Sequence, residues 1–140
     1  MELRATTIDD LQFVAEHSIS RGAKDVPLQT DFPYTIEHEG EVMCTGGFRL
    51  INMSTAWCHV NLTDCSGGHI VHLYRIIRDW ITSFTEENNI RRLQCYVECD
   101  FEEGIRLVEH LGFHKESIMP NFAGDDPAFM YSRITNGTTV

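Results

Sequence analysis

The chain has 140 residues, 42% of them hydrophobic, which suits one domain around one core and is too apolar for a disordered chain. Its formal net charge is −10 with only 11 Lys and Arg, so a general phosphate-neutralising surface is excluded, nucleic acid is not an expected partner, and a basic acceptor fits. No apolar run approaches the roughly 18 residues of a membrane span, and Met1-Glu2-Leu3-Arg4-Ala5 lacks the apolar stretch of a signal peptide, so no membrane is expected and the expected location is the cytoplasm.

Residues 2–6 read as a short strand. Thr7-Ile8-Asp9-Asp10-Leu11 then opens a helix: Thr7 can cap it, Asp10 stands three residues on, and both acids suit the positive end of the helix dipole. Leu11, Val14, Ala15 and Ile19 repeat at helical spacing up to Arg21-Gly22. Residues 22–33, with Gly22, Pro27 and Pro33, read as an irregular loop. Tyr34 to His38 and Val42 to Ile51 are strands joined by a Glu39-Gly40 hairpin turn, and residues 55–63 form another strand.

Asp64-Cys65-Ser66-Gly67-Gly68 is a tight loop. A long amphipathic helix follows to about Glu87, with a stripe of Ile70, Leu73, Ile76, Ile77, Trp80, Ile81 and Phe84. Arg92 to Glu98 is a strand, and Phe101 to Leu111 a helix stopped by Gly112. Phe113 to Met119 and Ala128 to Ile134 are strands joined by a Pro/Asn/Gly/Asp loop, and residues 135–140 read as a disordered tail. The strand at 55–63, its helix and the strand at 92–98 form a βαβ unit, which requires a parallel pair, while the flanking strands read as hairpins. The fold class is therefore mixed α/β, a single domain over 1–134.

The five cysteines, Cys44, Cys58, Cys65, Cys95 and Cys99, are odd in number with no C-x-x-C pair, so reduced thiols are expected. His69 and His72 with a cysteine lack the paired spacing of a zinc site. The Asn-x-Ser/Thr triplets at Asn52, Asn61 and Asn136 read as chance matches.

Three segments carry a resemblance: Leu3-Arg4-Ala5-Thr6 followed by Asp9-Asp10-Leu11, Glu39-Gly40-Glu41-Val42 followed by Gly46-Gly47, and Leu107-Val108-Glu109-His110-Leu111-Gly112-Phe113. Together, and in this order, they resemble the GCN5-related N-acetyltransferase (GNAT) superfamily over nearly the whole chain. The resemblance implies a central mixed sheet in which the strands at 55–63 and 92–98 splay apart, and acetyl-CoA as co-substrate. The family's acyl-CoA loop departs from its pattern here: Cys65 stands at the Arg/Gln position, Gly68 at the first glycine and Ile70 at the second. Phe101 replaces a frequent Asn, and Val108 the frequent catalytic Tyr. This degenerate pattern is similar to small GNAT-like proteins of tailed bacteriophages, which implies the alternative of an inactive protein that binds a host or virion protein in the host cytoplasm.

The resemblance implies that the pantetheine arm lies along Val60, Asn61 and Leu62 as an added strand, and that the pyrophosphate meets Ser66, Gly67, Gly68 and His69 at a helix N-terminus. Acyl transfer also needs a base, an oxyanion donor and a proton for the leaving thiolate. His59 is the candidate base, with Glu98 and Asp100 as alternatives. An amide at Asn61 or Leu62 is the oxyanion donor, and Tyr96 or Tyr131 the proton donor. Cys65 could be a nucleophile or loop packing. The amine acceptor, a small molecule or a protein, is expected between the 20–32 and 119–127 loops, where Asp25, Asp31, Asp125 and Asp126 lie. Edge strands near the C-terminus allow a homodimer.

Overall fold

The computed structural model describes residues 1–19 and 32–135. Asp25, Asp31, most of the 22–33 loop and residues 136–140 of the tail lie outside the described residues. Among the described residues seven strands and three α-helices follow in the order β1 (Glu2–Ala5), α1 (Ile8–His17), β2 (Tyr34–His38), β3 (Glu41–Leu50), β4 (Thr55–Leu62), α2 (Ile70–Glu87), β5 (Arg92–Glu98), α3 (Glu102–His110), β6 (His114–Ala123) and β7 (Asp126–Ile134). The sheet order is β1-β2-β3-β4-β5-β7-β6. β4 and β5 pair in parallel, and the register pairings β1–β2, β2–β3, β5–β7 and β6–β7 are antiparallel, so the sheet is mixed as the element order requires.

The chain falls into two compact units, Met1–Arg49 with His59–Ile77, and Leu50–Cys58 with Arg78–Val140. β4 and α2 contribute residues to both. In the first unit the buried apolar residues include Val14, Ile36, Met43, Phe48, Leu62, Leu73 and Ile77. In the second they include Ala56, Ile81, Phe84, Leu93, Val97, Leu107, Phe113 and Tyr131.

The start of α1 is fixed by a reciprocal cap. The Asp10 N–H donates to Thr7 Oγ1 at 3.2 Å, and the Thr7 N–H donates to Asp10 Oδ2 at 2.8 Å. Arg4 adds a fork the sequence pattern does not reveal: Nη1 and Nη2 donate to the two Asp10 carboxylate oxygens at 2.7 and 3.0 Å. Nη2 also reaches Glu37 at 2.9 Å. Arg4 foremost, offset by burial and aided by Thr7 and Thr35, holds the Asp10 carboxyl well below the usual carboxylate range.

Three expectations need correction. α1 ends at His17, so Ile19 is outside it, and of the four stripe residues only Val14 is buried. Ile70, at the first position of α2, is exposed. The expected 119–127 loop is mostly strand: β6 runs to Ala123 and the turn is only Gly124-Asp125, with Ala123 opposite Asp126. Pro120 and Asn121, whose φ is 53°, displace the register between Met119 and Ala123 without ending the strand. A sheet edge tolerates this, because one side of its ladder needs no partner. No helix among the described residues is long and apolar enough to cross a membrane.

Candidate active site

The β4–β5 register holds at Thr55↔Arg92, Ala56↔Leu93 and Trp57↔Gln94 and goes no further, although β4 continues to Leu62 and β5 to Glu98. The last residues of β4 belong to the first unit. Thr63 donates its N–H to the Met43 carbonyl on β3, so the preceding carbonyl, that of Leu62, turns to the opposite edge. There it accepts the Ile19 N–H at 3.0 Å. An extended residue points its N–H and C=O the same way, so the Leu62 amide also faces away from β3, and the Asn61 amide faces toward it. Of the two amides considered for an oxyanion, only Leu62's lies on the outward edge. Its carbonyl is already engaged.

After β4 the chain tightens into a 3₁₀ turn over Asp64–Ser66, capped by Thr63 Oγ1, which accepts the Cys65 N–H at 3.2 Å. Gly67 at φ −60° and ψ 133°, followed by Gly68 at φ 87°, makes a type II turn, closed by the His69 N–H on the Ser66 carbonyl at 3.0 Å. The Ser66 and His69 amides are therefore spent on internal bonds, and the Ser66 hydroxyl donates to the Thr63 carbonyl at 2.7 Å. The Gly67 and Gly68 amides and those of the first turn of α2 remain for an anion. A Cβ at either glycine would meet nothing within 4 Å, so the space beside the turn is open on that side.

Imidazoles gather beside this turn. The His38 ring, at the end of β2, lies 5.0 Å from that of His69 and 6.5 Å from that of His72, centroid to centroid. His38 escapes a reading of the sequence because it stands 31 residues before His69, and only the β2–β3 hairpin brings it there. Among the described residues no group of three His, Cys, Asp or Glu is arranged to hold a metal ion. Cys65 is not a poised nucleophile: burial and the neighbouring Glu41 and Asp64 push its thiol up, away from the thiolate, and its Sγ lies 3.7 Å from Asp64 Oδ1.

His59 faces a pocket of about 170 Å³ in the first unit. Among the described residues Thr6, Thr7, Ile8, Leu11, Pro33, Thr45 and Gly46 line the rest of it. Burial pushes the imidazole down to about 4, so it is neutral at pH 7. Thr45 is 2% exposed, and among the described residues its hydroxyl has no hydrogen-bond partner.

The second unit holds the remaining candidates. Glu98, at the end of β5, is buried opposite Ala128, and Asp100 follows it in an exposed turn. Tyr131 is fully buried, and its hydroxyl donates to Glu109 Oε2 at 2.8 Å. Burial first and then Glu109 raise its pKa, so that proton is held. Tyr96 packs its ring 4.4 Å from that of Phe122 and is also raised, by burial and by Glu98. At the N-cap of α3, Phe101 makes no side-chain capping bond, and its ring lies against Gly104, where a Cβ would come within 2.5 Å of it. Asp125 sits in the β6–β7 turn and Asp126 opens β7.

No protein-family model and no curated protein matches this sequence. Solved structures do match in fold. A mutant spermidine N-acetyltransferase from Vibrio cholerae is similar with a TM-score of 0.74 at 12% identity, covering 96% of this chain and 95% of that one. The ribosomal-protein-S18-alanine N-acetyltransferase from Escherichia coli gives 0.74 at 14% identity, over 99% and 97%. A GNAT family acetyltransferase from Elizabethkingia anophelis, with acetyl-CoA bound, gives 0.72 at 11% identity, over 96% and 97%. These likenesses establish the GNAT acetyltransferase fold.

Proposed function

We propose that the protein is an acyl-CoA-dependent N-acyltransferase that moves an acetyl group to a primary amine. The observation that carries this reading is the open Gly67-Gly68 turn that follows the outward edge of β4 within the first unit. The outward edge at Val60 and Leu62 offers main-chain groups to a pantetheine arm, and the free Gly67, Gly68 and α2 amides suit a pyrophosphate. His69, with the His38 and His72 rings near it, supplies ring N–H donors beside the turn, while Cys65 stands where the resemblance places an Arg or Gln. In this reading the Leu62 amide donates to the thioester oxygen as charge builds on it.

The amine forms a C–N bond to the thioester carbon, the C–S bond breaks, and the amine's proton must leave. His59 is neutral and able to accept it, yet it is a weak base with a pKa of about 4. It therefore takes the proton late, once the forming C–N bond has made the nitrogen acidic, and not from a free ammonium. Glu98 remains the alternative base in the second unit. Tyr131 can protonate the thiolate only if it gives up its hydrogen bond to Glu109.

The test is calorimetric titration with acetyl-CoA together with release of free CoA in the presence of amines. Micromolar binding and turnover reduced at least about tenfold by His59→Ala support the reading; no binding at millimolar ligand overturns it. A second reading, a protein of this fold that binds a host or virion partner without catalysis, is favoured by Val108 at the usual Tyr position and by the engaged Tyr131 proton. It predicts no turnover with any amine.

A further inference from the structure

The outward edge of β4 is occupied at its end. The chain leaving α1 lies on it as an isolated antiparallel bridge, Ser18 opposite Thr63, and the Ile19 N–H donates to the Leu62 carbonyl at 3.0 Å. A side-chain tether stands next to this bridge. His17, the last residue of α1, brings Nδ1 to 3.3 Å from Asp64 Oδ2. Its ring stacks on Phe13 one turn earlier, with centroids 4.2 Å apart and planes at 18°. All of these residues belong to the first unit. Neighbouring strands lie about 4.8 Å apart, so an edge has room for one strand at a given position. An arm running along Val60 and Leu62 toward the Gly67-Gly68 turn needs the place that Ser18 and Ile19 hold. The bridge that holds it is one residue long. The ion pair beside it joins side chains 40% and 62% exposed, an arrangement worth about one- to fivefold in an equilibrium constant. A ligand that makes more bonds on the same edge can displace so short a contact.

We propose that residues 17–19 are a latch on the acyl-CoA edge: they occupy it in the free protein and leave it before the pantetheine arm pairs with Leu62. The identity of the displacing ligand rests on the acyltransfer reading; the latch rests on the contacts just given. His17 is then a positioning residue. It touches no ligand and acts through the fraction of molecules whose edge is open. The apparent affinity is the intrinsic affinity scaled by that fraction, so a weaker tether gives tighter binding.

The experiment titrates acetyl-CoA into the full chain and into two variants at this partly exposed position, His17→Ala and His17→Arg, and follows exchange of the Ile19 amide hydrogen by NMR. His17→Ala removes the tether and is expected to tighten binding about threefold. His17→Arg sets a permanent cation against Asp64 and is expected to weaken binding about threefold. In the parent, saturating acetyl-CoA is expected to speed exchange of the Ile19 hydrogen at least about tenfold, because its bond to Leu62 is broken. A merely structural His17 would lose affinity in both variants. That result overturns the proposal, as does slower Ile19 exchange with ligand bound. Equal binding by all three proteins overturns the latch and leaves the acyltransfer reading standing. No binding by any of them at millimolar acetyl-CoA overturns both.

Discussion

Thr45 carries a hydroxyl that folding removes from water and that has no partner among the described residues, and an unsatisfied buried hydroxyl costs about 1–3 kcal/mol. Thr45→Val should therefore raise stability by about 1 kcal/mol in urea unfolding. Arg4→Met should cost about 2 kcal/mol in the same assay, because it strips the charge-assisted bonds from the buried Asp10 carboxylate. His59 gives a pH signature. Its folded value is about 4 against an ordinary 6.5, so between these values the unfolded chain binds more protons and stability falls as pH falls. His59→Gln should flatten that part of the stability curve between pH 6.5 and 4, by at most about 3 kcal/mol. Of these residues the sequence reveals His59, because it sits on a strand in a recognisable order. Thr45 and Arg4 are invisible there, since their surroundings come from other strands and from α1.

Turns decide the elements. Glu39 at φ 52° and Gly40 at φ 82° form a type I′ turn between His38 and Glu41, and Glu39 is strained in that conformation. Glu39→Asn should stabilise the hairpin by about 1 kcal/mol in thermal unfolding, because Asn tolerates the left-handed region. Gly68 at φ 87° is under the same constraint. Gly68→Ala should cost about 1–2 kcal/mol and weaken acetyl-CoA binding through a distorted turn, whereas Gly67→Ala, at an ordinary φ, should fold normally. The hairpin at Glu39-Gly40, the cap at Thr7 and the limits of β5 were legible in the sequence, because each depends on neighbours within a few residues. The extent of β6 was not. Pro120 and Asn121 carry the chemistry of a loop, and only the long antiparallel pairing with β7 keeps them within a strand.

At the scale of the molecule, the order of elements identified the fold, because a βαβ crossover between hairpins leaves few topologies open. The first unit joins the open turn, the imidazoles and the pocket, and no short motif announces that combination: the loop lacks its Arg or Gln, and the pocket is built from the β1–α1 connection, α1, Pro33, β3 and β4. The net charge of −10 acts at longer range. If the acceptor is cationic, its KM should rise as salt is added.

The kink at Pro120-Asn121 has one more consequence. β6 is the last strand of the sheet, ten residues long, with Ile118 and Phe122 exposed, a shape on which neighbouring molecules could stack without limit. A missing amide hydrogen and a reversed backbone twist halfway along deny a newcomer a straight rail. Smoothing that rail with Pro120→Val and Asn121→Val should turn a well-behaved solution into thioflavin-positive fibres at concentrations where the parent stays clear.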